Sequence, residues 1–183
     1  MANTPITIGT GSYSRSRGAG TIGDPYVQQP EAIPGVLLRP TITIGASPDY
    51  AAGDVVGGIV ELTGAVDVSG RPVELTSLAV KDAGGQAPAL TFLFFRATPS
   101  GGTYTDNAAL VWGSGDLANL VGAVTVASAD YSTLASKSLT IKGDLGHLLD
   151  CAATSLFLVI VADAVWNAAA TSDLTVAVGL TRR

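Results

Sequence analysis

The sequence predicts an antiparallel β-sandwich of jelly-roll-like form, all-β, preceded by an extended N-terminal arm. Three observations predict it. Apolar and polar residues alternate with a period of two in several short runs. Two further runs, Leu90-Thr91-Phe92-Leu93-Phe94-Phe95 and Leu156-Phe157-Leu158-Val159-Ile160-Val161, are apolar on both parities, as strands covered on both faces are. Turn clusters rich in Gly, Pro, Ser and Asp separate these runs at fairly regular spacing, the pattern of a sandwich or jelly roll.

Residues 1–35 read as the arm. They hold Pro5, Pro25, Pro30 and Pro34, five glycines from Gly9 to Gly23, and the polar run Ser12-Tyr13-Ser14-Arg15-Ser16-Arg17. No sustained period of 2 or 3.6 runs through them, so they cannot bury enough surface to order themselves. One short echo links arm and domain: Pro5-Ile6-Thr7-Ile8-Gly9 resembles Pro40-Thr41-Ile42-Thr43-Ile44-Gly45. It reads either as chance recurrence of an Ile/Thr alternation or as a strand, Ile6-Thr7-Ile8, that adds to a sheet edge of another subunit.

The β domain spans residues 36–183. Leu38, Ile42 and Ile44 alternate with Arg39, Thr41 and Thr43, and Val60 and Leu62 alternate with Glu61 and Thr63. Val73 and Leu75 share one parity, Leu78 and Val80 the other, so a continuous strand needs one extra residue near Thr76-Ser77, a β-bulge. Shorter candidate strands lie at 109–112, 121–126 and 139–142. The last strand is the most regular, with Leu174, Val176, Val178 and Leu180 on one side. Helical content is expected to be small, with a turn or two at 145–153 and 164–170. In the doubly apolar strands one face meets the core and the other a neighbour. Leu93, Phe95, Leu158 and Ile160 are the candidate partner-facing set, and which parity faces inward stays open.

Composition limits the function classes. Charged residues make up 14 %, against roughly a quarter in an average globular chain, so part of the surface is expected to be polar but uncharged or hidden against partners. The net charge is −5, and basic residues pair up only at Arg15/Arg17 and Arg182-Arg183, which offers no nucleic-acid-binding patch. No run approaches the roughly 20 apolar residues of a membrane span. The N-terminus lacks the basic and apolar regions of a secretory signal, so a product made inside the cell is expected. Cys151 is the single cysteine, which rules out an intrachain disulfide, and it reads as a small buried apolar residue.

Chemistry-bearing motifs are few. Gly18-Ala19-Gly20-Thr21-Ile22-Gly23 matches the dinucleotide fingerprint, but neither the Ser-Arg-Ser-Arg before it nor the Asp24-Pro25 after it supplies the strand and helix which that motif needs. His147 is the only histidine, and no G-x-S-x-G elbow is present. The aspartates are scattered and read as turn caps, without a calcium-loop spacing. The sequence therefore predicts a non-enzymatic chain with no cofactor and no metal. A hydrolase using scattered aspartates, and an adhesive sandwich stacking sugars on Trp112, Trp166 and Tyr104, are the competing readings.

From Asp49 onward five features follow in order: Tyr50-Ala51-Ala52-Gly53-Asp54-Val55-Val56-Gly57-Gly58, Leu78-Ala79-Val80-Lys81-Asp82, the Leu90 run, Thr105-Asp106-Asn107-Ala108-Ala109 and Ser155-Leu156-Phe157-Leu158-Val159. This order resembles a group of tailed-bacteriophage virion proteins, the head-decoration, cement or fibre-base type of β-sandwich. The resemblance implies a virion component assembled in the host cytoplasm. It implies a homo-oligomer, first of all a trimer, bound to a major capsid protein or another virion protein, in the head or at the tail, neck or a fibre. It transfers no catalytic residues. The assembly residues expected of the arm are Ile6, Thr7, Ile8, Arg15 and Arg17.

Overall fold

The computed structural model describes residues 35–45 and 49–183. The strands, in chain order, are β1 (Gly35–Leu38), β2 (Asp49–Tyr50), β3 (Val55–Leu62), β4 (Val73–Asp82), β5 (Leu90–Phe95), β6 (Leu120–Val126), β7 (Ser132–Leu134), β8 (Lys137–Lys142), β9 (His147–Leu149), β10 (Leu156–Ala162), β11 (Trp166–Asn167) and β12 (Leu174–Arg182). A single helical turn, α1 (Asp116–Asn119), precedes β6.

Two antiparallel sheets form. Sheet one has the order β1-β12-β4-β8-β7, with β9 pairing to β4 beyond the end of β8; sheet two has the order β3-β10-β5-β6. The pairings are nested: β1 with β12, β3 with β10, β4 with β8 and β9, and β5 with β6. Rolling that nested hairpin up adds the pairs β12–β4 and β10–β5. This is the connectivity of a jelly roll, so the expected fold class stands. Between the sheets lies one core, built from Val73, Leu75, Leu78 and Val80 of β4, Val176, Val178 and Leu180 of β12, Phe92 and Phe94 of β5, and Leu156, Leu158 and Ile160 of β10.

The bulge read from parity is present. Gly179 pairs with Ser77 and Leu180 with Leu75, which leaves Thr76 as the extra residue and turns both Leu75 and Leu78 inward. A second irregularity was not anticipated. On β3 the register jumps from Ile59 to Val56 while β10 advances by one residue, so Gly57 and Gly58 are both extra. Both have positive φ, 75° and 74°, which only glycine adopts at little cost. Because two residues are inserted, Val56 and Val60 keep the same inward parity.

Local expectations gave way at four places. β1 ends at Leu38 because Pro40 has no N–H to offer the ladder, yet Ile42 and Ile44 still bury into the core. Within 145–153, where a helical turn was expected, the chain instead adds β9 to β4; within 164–170 it forms β11 on β2. In both, sheet pairing outweighs the weak helical preference of so short a segment. The candidate strand at 109–112 makes only isolated bridges, Asp54 to Ala109 and Thr103 to Val111.

Candidate interaction surface

The outer faces of the two sheets are treated differently, and β8 marks the contrast. On β8 the hydroxyl residues Ser138 and Thr140 are buried against the core, while Leu139 and Ile141 face outward, Ile141 with 65 % of its surface exposed. That is the reverse of a strand with one solvated face, where the register is set to bury the apolar side. Reading across sheet one, Ile141 lies opposite Ala79, which lies opposite Ala177. The next rung holds Leu37, Gly179 and Ser77; beyond it come Leu148 and Glu74, with Leu148 63 % exposed. Small side chains thus form a flat floor, flanked by Leu37 on one side and by Leu139, Ile141 and Leu148 on the other. Over the rungs from Glu74 to Lys81 those two are the charged residues on this face, and Glu74 is ion-paired with Arg183. Exposed apolar side chains gathered on one sheet face make it the candidate interaction surface.

Sheet two covers its own outer face. Val55, Leu93, Phe95, Val159 and Val161 form a second buried cluster with Tyr104, beneath residues 103–112. Two aspartates latch that covering segment. Asp106 Oδ1 accepts the Tyr50 hydroxyl at 2.7 Å and the Gly57 N–H at 2.6 Å, and its Oδ2 accepts the Gly45 N–H at 2.8 Å. Asp116, buried, accepts the Tyr104 hydroxyl at 2.5 Å, the Gly113 N–H at 2.8 Å and the Ser100 N–H at 2.9 Å. The Tyr104 and Ser100 hydrogen bonds hold the Asp116 carboxyl below its ordinary range, whereas burial and then Asp116 push the Tyr104 hydroxyl up to about 12. Phe95 packs edge-on to Tyr104 and tilted against Trp112.

The predicted partner-facing set therefore needs correction. Leu158 and Ile160 pair with Phe94 and Phe92 and point into the main core; Leu93 and Phe95 point the other way, into the second cluster. The four do not share a face, and all are buried within the chain itself. What covers the second face is the chain's own segment 103–112, of which only 109–112 is expected from the sequence to be a strand. Among the described residues the face left open belongs to sheet one, and its sequence signal is the parity of Leu139 and Ile141 against Ser138 and Thr140. Ile6, Thr7, Ile8, Arg15 and Arg17, and the glycine motif at 18–23, lie outside the described residues.

The remaining candidates fall into ordinary structural places. Trp166 is buried and stacked on Tyr50 at 5.2 Å, Tyr104 is buried, and Trp112 alone of the three proposed sugar-stacking residues is open, at 38 %. Asp54, Asp82, Asp130 and Asp173 accept backbone N–H groups of adjacent turns, as turn-capping aspartates do. His147 is exposed on β9. Cys151 is buried, and burial raises its thiol to about 11. Among the described residues no group of three or more His, Cys, Asp or Glu side chains is placed to hold a metal ion, and no helix is long and apolar enough to cross a membrane. Comparison of the sequence with protein-family models finds no match, and comparison with curated proteins finds none either.

Proposed function

We propose that this chain is a non-enzymatic structural protein of a virion, of the head-decoration or cement type, that works by associating with copies of itself and with a capsid or other virion protein. The observation that carries the assembly part is β8, whose apolar side chains point away from the core onto the outer face of sheet one. A jelly roll alone does not decide between roles, since capsid proteins, lectins and cupins share it. The virion setting rests on the resemblance carried by residues 50–58, 78–82, 90–95, 105–109 and 155–159. In this reading the Ile6-Thr7-Ile8 segment supplies a second contact by pairing with a sheet edge of a neighbouring subunit. Size-exclusion chromatography with light scattering is the first test. An oligomer is expected, and a strict monomer at every concentration would overturn the assembly reading. Imaging of particles made with and without this protein tests the virion setting; density at the same place in both would exclude it.

A further inference from the structure

The inner side of β8 carries its own consequence. Ser138, 2 % exposed, lies directly opposite Asp82, 1 % exposed, on the core side of sheet one. The Asp82 carboxylate organises the turn after β4: Oδ1 accepts the Gly84 N–H at 2.9 Å, and Oδ2 accepts those of Gln86 and Ala87 at 2.5 and 2.9 Å. An ionised carboxylate offers about four acceptor positions, so one remains open, on Oδ1. Beside it, the Ser138 Oγ is buried with no hydrogen-bond partner among the described residues, and the same holds for the Tyr131 hydroxyl. Tyr131 precedes Ser132, which pairs with Leu139, so it reaches the rung of Thr140, next to Ser138 on the same face. Burial, and after it the charges of Asp82 and Asp130, raises the Tyr131 hydroxyl's pKa.

Buried hydroxyls without partners are rare in folded proteins, and ordered water is the usual partner that satisfies them. We propose that Ser138 Oγ, the Tyr131 hydroxyl and Asp82 Oδ1 together hold one buried water between β4, β8 and the start of β7. Water suits the site better than a cation. Three N–H dipoles already balance the carboxylate, and the Lys137 ammonium donates to the adjacent Ala83 carbonyl. Two of the three groups are hydroxyls that both donate and accept, which a water molecule complements with two donors and two acceptors. The water ties the β7–β8 hairpin to β4 and so braces the strand that presents Leu139 and Ile141 outward.

The sign of a stability change tests this in the full-length chain. With the water present, Ser138→Ala and Tyr131→Phe each remove one of its anchors, and each lowers the melting temperature by about 2–4 °C. The double variant then falls by less than the sum, because both act on one molecule. In a dry site either substitution removes an unsatisfied hydroxyl and raises the melting temperature, which would overturn the proposal. A crystal structure should show a solvent peak within hydrogen-bond distance of both hydroxyls; a clear absence of density there would overturn it as well. A rise in melting temperature on adding calcium, reversed by chelator, would replace water with a cation.

Discussion

Gly179 of β12 faces Ser77 at the β4 bulge so closely that a Cβ at position 179 would fall inside van der Waals contact with the Ser77 Oγ. The bulge that turns Leu78 and Val80 inward thus depends on a glycine about a hundred residues away in the chain. Gly179→Ala should destabilise the domain by about 1–3 kcal/mol through overpacking. Thermal or denaturant unfolding measures it, and an unchanged midpoint would show that the two strands separate freely at this rung.

The open face of sheet one gives the second expectation. Ile141→Lys puts a charge where an apolar side chain is already exposed, so folding should be unaffected. Self-association should weaken by about tenfold or more, which corresponds to at least about 1.4 kcal/mol. Light scattering across a dilution series reads it, and equal association of the variant and the parent chain would remove this face from the interface.

Asp106 joins three stretches of chain through Gly45, Tyr50 and Gly57. Asp106→Ala should cost about 1–3 kcal/mol, because it leaves part-buried donors without an acceptor. Hydrogen exchange should accelerate at the Gly45 and Gly57 amides while β12 stays protected. Uniform acceleration would mean that the latch and the core open together.

Tyr104 and Asp116 set opposite pH limits. The Tyr104 hydroxyl is raised from 10.0 to about 12, so its contribution is complete below pH 10 and is lost as the pH climbs towards about 12. The Asp116 carboxyl is lowered from 3.8, so its contribution is present above that value and is lost as the pH falls below it. Tyr104→Phe should flatten the alkaline limb of a stability–pH curve, and persistence of the full limb would assign it to other groups.

Cys151 should resist thiol reagents in the folded protein. Burial in the core, followed by the nearby Asp150 charge, holds its thiol up at about 11, so little thiolate forms at neutral pH. Labelling should track global unfolding in denaturant. Rapid modification under native conditions would show that the 150–154 segment opens by itself.

Particular elements show how far the sequence could be read. The β12 alternation and the Thr76-Ser77 bulge were legible because side-chain parity in a strand is a local property of the chain. The doubly apolar β5 and β10 were legible as strands covered on both faces. What covered the second face was not, because the cover, residues 103–112, carries no period of its own and is held by Asp106 and Asp116 bonded to distant groups. β9 and β11 were missed for a related reason: each is too short to signal a strand and exists only because β4 or β2 offers an edge.

The all-β class, the side-chain parity of the long strands and the Thr76-Ser77 bulge could be read from the chain, since each depends on neighbours a few residues apart. Only the tertiary structure decided the nested pairing of first strand with last, and which apolar faces the chain covers itself. It also decided that β8 turns Leu139 and Ile141 away from the core and Ser138 towards Asp82. The physical reason is that a strand's pattern divides its side chains into two sets, and only long-range packing chooses which set is buried.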